Sequence, residues 1–233
     1  MGAAQTCENE AFRALRECAV CALNEHQVCD SCCAVLKRFD ALVFDCDGTL
    51  VDSMPMHFES FQEVCREFGL DFSEQRFYEL GGVPVDTIFE RLGREQGVNI
   101  DVQRCVAMKN EVFHRTFIHN VTEIACVTRY ARAALQMGIP CGVCSGSERR
   151  DVLTELRDTG LLELFADDAI VTREDVKHGK PAPDPYLLAA DRLGVSGKQC
   201  IAFEDSHGGV SSIMAAHMCP VYVPDLHLYP RRY

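Results

Sequence analysis

Basic charge is scarce in this sequence: 23 Lys and Arg face 35 Asp and Glu, for a formal net charge of −12. No Lys or Arg cluster stands out beyond the terminal Arg231-Arg232 pair, so a phosphate backbone would find no electrostatic footing and nucleic acid is excluded as a partner. Long apolar runs are missing too. None approaches the roughly 18–20 residues needed to cross a bilayer, and Met1-Gly2-Ala3-Ala4-Gln5-Thr6 lacks the basic and apolar regions of a secretory signal. Internal repeats and low-complexity tracts are also absent. The expectation is a cytoplasmic protein.

What is present is ordinary globular composition, 47% apolar and 25% charged over 233 residues, enough for one domain carrying an insertion or for two small domains. Fourteen cysteines in a reducing compartment read as thiols or metal ligands rather than disulfides. Six of them (Cys7, Cys18, Cys21, Cys29, Cys32 and Cys33) precede the first strand-like run.

From Asp40 onward, short apolar runs alternate with amphipathic stretches. Ala41–Phe44, 139–144, 169–171, 199–203 and 220–223 have the continuous apolar character of strands buried on both faces, which predicts a doubly wound α/β fold with a parallel sheet. About 95 residues separate the first strand from the second, far more than a crossover helix needs. Within that gap residues 56–68, 74–80, 85–96 and 101–117 show helical spacing, as in Phe58, Phe61, Val64, Cys65 and Phe68. The predicted organisation is a Cys-rich extension over 1–38, a catalytic core over 39–53 and 123–233, and an inserted helical cap over 54–122.

In an open α/β sheet, ligands bind beyond the carboxyl ends of the strands. Asp45 and Asp47 follow the first strand, Ser145-Gly146 the second, and Glu204-Asp205 the fourth, while Lys180-Pro181 lies in the loop before a helix. Two carboxylates at i and i+2, with Gly48 behind them, can face one site if the chain leaves the strand in a tight turn. Asp45 can then attack phosphorus to give an aspartyl-phosphate, with Asp47 protonating the leaving oxygen and later deprotonating water. A hard cation held by Asp45, the Asp47 carbonyl and Asp205 would offset the repulsion between carboxylate and phosphate. Oxygen ligands favour Mg²⁺, with Glu204 a ligand or a supporting group. Lys180 supplies fixed positive charge, and the Ser145 hydroxyl with nearby N–H groups can hold the remaining phosphoryl oxygens.

These four stations, in this order, resemble the haloacid dehalogenase superfamily, whose four motifs match Asp45–Thr49, Ser145, Lys180 and Glu204-Asp205. The resemblance spans roughly residues 40–224. It implies phosphate-ester chemistry, because dehalogenases lack the second acid and transport ATPases carry Thr where Asp47 stands. The segments 176–184 and 199–205 are similar to those of fructose-1-phosphate-type sugar phosphatases. β-Phosphoglucomutases, the alternative, usually carry an Arg where this chain has Val85, so the expected product is free phosphate. Two departures from the family pattern are a missing Pro-Gly around Glu123-Ile124 and His217 in place of a usual Gly. The resemblance also suggests His57 as a substrate contact at the cap hinge, against the alternative of a solvated helix residue. Asp52 and Thr49 are assigned to the turn and hinge, and residues 80–87 to leaving-group selection.

The N-terminal extension is open to several readings. Cys18-x2-Cys21-x7-Cys29-x2-Cys32, with Cys33 and His26 nearby, could hold a tetrahedral Zn²⁺. The same stretch has helical spacing (Phe12, Leu15, Ala19, Ala22, Leu23), which would make the cysteines packing residues. The first six residues also fit N-myristoylation at Gly2, with Cys7 as a palmitoylation site, against an unmodified tail. A catalytically idle scaffold with a partner-binding extension is the rival to an enzyme, disfavoured because a scaffold gains nothing from uncompensated acids in one cleft.

Overall fold

The computed structural model describes residues 11, 13–18, 27–226, 229 and 230. Gly2, Cys7, Phe12, Ala19, Cys21, Ala22, Leu23, His26 and Arg231-Arg232 lie outside the described residues, and with them the acylation signal and one of the four suggested zinc ligands.

Five strands, β1 (Ala41–Phe44), β2 (Cys141–Cys144), β3 (Ile170–Val171), β4 (Cys200–Glu204) and β5 (Cys219–Tyr222), form one sheet in the order β3-β2-β1-β4-β5. All four pairings are parallel, with Phe44 level with Val143 on one side and Phe203 on the other. The apolar reading of β1 is explained by burial on both faces. Leu42 and Phe44 point into one core cluster with Tyr130 and Phe203, while Ala41 and Val43 point into another with Tyr186 and Ile213. Phe44 stacks on Phe203 with ring centroids 4.7 Å apart. The expected strand at 139–144 starts two residues late, because the Ile139 N–H is tied back to the Ala134 carbonyl at 2.9 Å and Pro140 has no N–H to give a ladder.

Helices flank the sheet: α1 (Asp30–Leu36) leads into β1, and α2 (Met54–Phe68), α3 (Glu74–Glu79), α4 (Val85–Gln96) and α5 (Val102–Val112) lie between β1 and β2. Local sequence sets their ends. α2 has Pro55 in its first turn and Gly69 in the left-handed region at its end, and the Asp101 carboxylate caps α5 by accepting the Arg104 N–H. These four helices bury a separate cluster of Phe61, Phe72, Phe77, Phe89, Leu92 and Cys105, so the insert has its own core. The helix expected over 101–117 changes register: a π-helical turn, Phe113–Phe117, follows α5. A π turn re-aims the side chains it carries, and here it sets Phe113 against His57.

The remaining helices, α6 (Ala125–Gln136), α7 (Arg149–Asp158), α8 (Asp184–Arg192) and α9 (His207–Ala215), cover the sheet. No helix among the described residues is long and apolar enough to cross a membrane. At the N-terminal side, Ala11, Leu15, Cys32 and Leu36 are buried in the same cluster as Phe44, so these side chains pack on the core. His217, just after α9, has φ 61°, a left-handed conformation that a side chain makes costly; Gly would sit there without strain.

Candidate active site

The four stations converge at the carboxyl end of the sheet. The chain leaves β1 with the Asp45 N–H donating to the Phe203 carbonyl at 2.9 Å, then turns back through Gly48, whose N–H reaches the Val51 carbonyl at 2.8 Å. Gly48 has φ 77°, and a Cβ built there would lie 2.8 Å from Asp205 Cγ and closer still to its Oδ2. Only Gly lets the loop and the Asp205 carboxylate come so close. From the C-terminal segment, the Tyr229 hydroxyl donates to the Gly48 carbonyl at 2.6 Å.

Lys180 is the electrostatic hub. Its ammonium donates to Asp45 Oδ1 at 2.6 Å and Glu204 Oε2 at 2.7 Å, and all three groups are largely buried. Burial opposes its charge, but Asp45 and Glu204 outweigh burial and hold the ammonium well above its ordinary pKa. The two carboxylates share it unequally. Glu204 also accepts from the Tyr186 hydroxyl at 2.7 Å and from the Ser206 N–H and hydroxyl at 3.1 and 2.7 Å. Against a burial penalty, Lys180 and those donors hold Glu204 below the usual carboxylate range. Asp45 has less support: burial and then the Glu204 charge raise it to about 7, with Lys180 pulling the other way. Asp205 is pushed well up by burial and by Glu204 and Asp45.

Three carboxylates around one ammonium leave a deficit of positive charge. Oxygens of Asp45, Glu204 and Asp205 all lie within 4.8 Å of one another, and every ligand there is a hard oxygen. A divalent cation such as Mg²⁺ fits this donor set. Because each Glu204 oxygen already takes two hydrogen bonds, Glu204 suits a supporting place behind Lys180 better than a direct ligand's.

Asp47 faces a different set of partners. Its Oδ1 accepts from the Ser53 hydroxyl at 2.6 Å and meets His57 Nε2 at 3.1 Å, and its Oδ2 accepts from the Ser147 hydroxyl at 2.7 Å and the Ser145 hydroxyl at 3.5 Å. Burial would raise its pKa, but the His57 bond and charge and the serine donors more than reverse that. His57 is stacked on Phe113, centroids 4.2 Å apart, and its Nδ1 meets Lys109 Nζ at 2.9 Å. Lys109 is 4% exposed, and burial lowers its ammonium to about 8 against the pull of Asp47, Asp151 and Glu155.

The structure therefore gathers Asp45, Asp47, Ser145, Lys180, Glu204, Asp205 and His57 around one cavity of about 660 Å³, with Gly146 on its wall. His57 is a partly buried member of a hydrogen-bonded chain that joins Lys109 to Asp47. Thr49 is buried in the turn with its hydroxyl unpartnered. Val85 and Asp86 of α4 line the same cavity with Gln103 and Asn110 of α5. Sequence reasoning missed Lys109, Ser147 and Tyr229. A lone Lys on an amphipathic helix carries no local signal, and Ser147 lies two residues past the station that was recognised. Away from the cavity, Cys18, Cys29 and Cys32 bring three thiols together.

A family profile described as Haloacid dehalogenase-like hydrolase matches residues 42–223. The chain is 33% identical over 187 residues to a fructose-1-phosphate phosphatase, YqaB, of Escherichia coli, covering 80% of this chain and 97% of the relative. It is 29% identical over 191 residues to a β-phosphoglucomutase of Bacillus subtilis, covering 78% and 82%. Among solved structures, a HAD family hydrolase from Deinococcus radiodurans with bound phosphate and sodium superposes with a TM-score of 0.62 at 30% identity, covering 78% of this chain and 79% of that one.

Proposed function

The chain belongs to the haloacid dehalogenase-like hydrolases and is a phosphatase-type enzyme of that family, and from that premise we propose that it is a Mg²⁺-dependent phosphatase for a small sugar phosphate. The observation that carries the reading is the lining of the cavity, which joins the acidic site around Lys180 to polar side chains of the helical insert. Fixed positive charge and three carboxylates occupy the sheet side, where phosphate chemistry would occur. The helices of the insert add Asp86, Gln103 and Asn110 to the lining among apolar side chains, partners suited to the hydroxyls of a polyol. The phosphatase and mutase relatives both act, by their names, on phosphorylated sugars.

In the proposed reaction Asp45 attacks phosphorus in line, its charge held in place by Lys180. Mg²⁺, held by Asp45, Asp205 and the Asp47 carbonyl, would supply charge neutralisation of the phosphoryl oxygens. Asp47 gives a proton to the leaving oxygen and takes one from the water that releases phosphate. Its low pKa keeps it ionised, so it is free to accept a proton although a weak base, and as an acid it needs a proton source. His57 Nε2 is in hydrogen-bond reach, and Lys109, donating to Nδ1, keeps the His57 proton on that side. Because Lys109 lies on α5 and His57 on α2, the helical insert contributes directly to the acid-base group, as expected of a cap that completes the site.

Hydrolysis is favoured over phosphomutation by the cations that line the cavity. Among the described residues these are Lys109, Arg173 and Lys180, and each is already engaged: Lys109 with His57 at 2.9 Å, Arg173 with Glu148 at 2.9 Å and Lys180 with Asp45 and Glu204. A second phosphate, which a mutase must hold while its intermediate turns over, would have to draw one of these cations away from its present partner. A sugar-phosphate panel with Mg²⁺ tests this, including β-glucose 1-phosphate with its bisphosphate activator. The expected outcome is phosphate release, blocked by a chelator, with no isomerisation. Glucose 6-phosphate as the main product would establish the mutase, and no turnover on any ester would leave the scaffold reading.

A further inference from the structure

We propose that Cys18, Cys29 and Cys32 form a thiolate site for one Zn²⁺ ion, outside the lining of the catalytic cavity and independent of the phosphatase reading. The three sulfurs lie within 4.8 Å of one another, and Cys18 Sγ is 3.2 Å from Cys29 Sγ although eleven residues separate them in sequence. Tetrahedral Zn²⁺ with bonds of about 2.3 Å needs sulfurs about 3.8 Å apart, so side-chain adjustment alone would close the site.

Packing sets this convergence. Leu15 and Ala11 before Cys18, and Leu36 one α1 face beyond Cys32, are fully buried in the main core. Cys32 joins them there, while Cys18 and Cys29 sit partly buried at its margin, reachable by an ion. The other nine of the twelve described cysteines join no such group. Cys141 and Cys200, for example, donate to backbone carbonyls as ordinary buried thiols do. Convergence, not cysteine abundance, marks the trio.

The chemistry separates the two metal sites of the molecule. Thiolates are soft and select a d¹⁰ ion, whereas the oxygen donors of the acidic site suit Mg²⁺. On coordination each of the three thiols loses its proton to solvent, with no electron transferred, and the fourth position of the tetrahedron stays for one further donor. Bound Zn²⁺ would tie residues 11–18 to the start of α1. That segment also reaches the C-terminal side of the fold through Arg16 and Asp225, 3.7 Å apart, close in sequence to the Tyr229 that holds Gly48.

The test uses the full chain, freed of any His tag, purified from a zinc-supplemented host and then exchanged with Co²⁺. The expected result is about one Zn²⁺ per chain and, with Co²⁺, a near-ultraviolet sulfur-to-metal charge-transfer band. Both disappear in Cys29→Ser and Cys32→Ser, which keep Mg²⁺-dependent turnover, and both persist in Asp205→Asn. Zinc below about 0.2 per chain, or no cobalt–thiolate band in the wild type, overturns the proposal without reference to how any variant folds. So does zinc lost in Asp205→Asn but kept in the cysteine variants, or an intact mass about 2 Da light from a Cys18–Cys29 disulfide.

Discussion

Replacing Gly48 by Ala separates backbone strain from site geometry, because a second glycine in the chain serves as its control. At φ 77° an L residue costs about 1–2 kcal/mol, which for a chain of this size lowers Tm by roughly 2–8 °C. Gly69 has φ 65° and nothing within 4 Å of the place a methyl would take, so Gly69→Ala should lose a similar amount of stability and nothing else. At Gly48 the methyl would meet Asp205 Cγ at 2.8 Å, where carbon–carbon contact prefers about 3.5 Å or more, so the carboxylate must move by about 1 Å. Misplacement on that scale costs roughly 10²-fold in rate. Turnover of an aryl phosphate against Mg²⁺ concentration, with thermal melts of all three proteins, reads both effects. Gly48→Ala should fall roughly 100-fold and need more Mg²⁺, while Gly69→Ala keeps wild-type kinetics. If Gly48→Ala matches Gly69→Ala in both rate and Mg²⁺ requirement, the assignment of Asp205 to the metal is wrong.

Lys109→Met tests the chain from α5 to Asp47. Lys109 is charged below about 8 and donates to His57, so wild-type kcat/KM should decline as pH rises through that value, and the variant should lack this limb. The lowered pKa also means the folded state disfavours the charged form. Denaturant melts should therefore show the wild type gaining on Lys109→Met between about pH 8 and 10.5, on the order of 3 kcal/mol across the window; a constant gap would contradict the burial argument. His217→Gly relieves a left-handed side chain and should raise Tm by about 2–4 °C with activity unchanged, and an unaltered or lower Tm would mean that the His217 conformation carries no strain.

Much of the core was legible because its physics is local. A strand buried on both faces must be apolar along its buried run, and Ala41–Phe44 and residues 200–203 show it; polar residues at the ends of such runs have few uses other than a site. Asp45, Glu204 and Asp205 are legible in this way, and Lys180 from its place in the loop before a helix, although they are far apart in sequence. The π turn at Phe113–Phe117 and the Lys109–His57–Asp47 chain were hidden because both depend on how the insert packs on the core, a contact between α2, α5 and the β1 loop with no spacing rule. The role of Tyr229 was invisible for the same reason: it reaches Gly48 from 181 residues away.

The central claim is that Asp45 is the nucleophile, and trapping the covalent intermediate tests it most directly. Protein mixed with Mg²⁺ and a turned-over phosphate ester, then quenched in acid within milliseconds, should carry a phosphoryl group of about 80 Da on the peptide containing Asp45. Asp45→Asn should show neither the adduct nor phosphate release. Phosphate on any other residue, or an Asp45→Asn protein that turns over at the wild-type rate, would contradict the account.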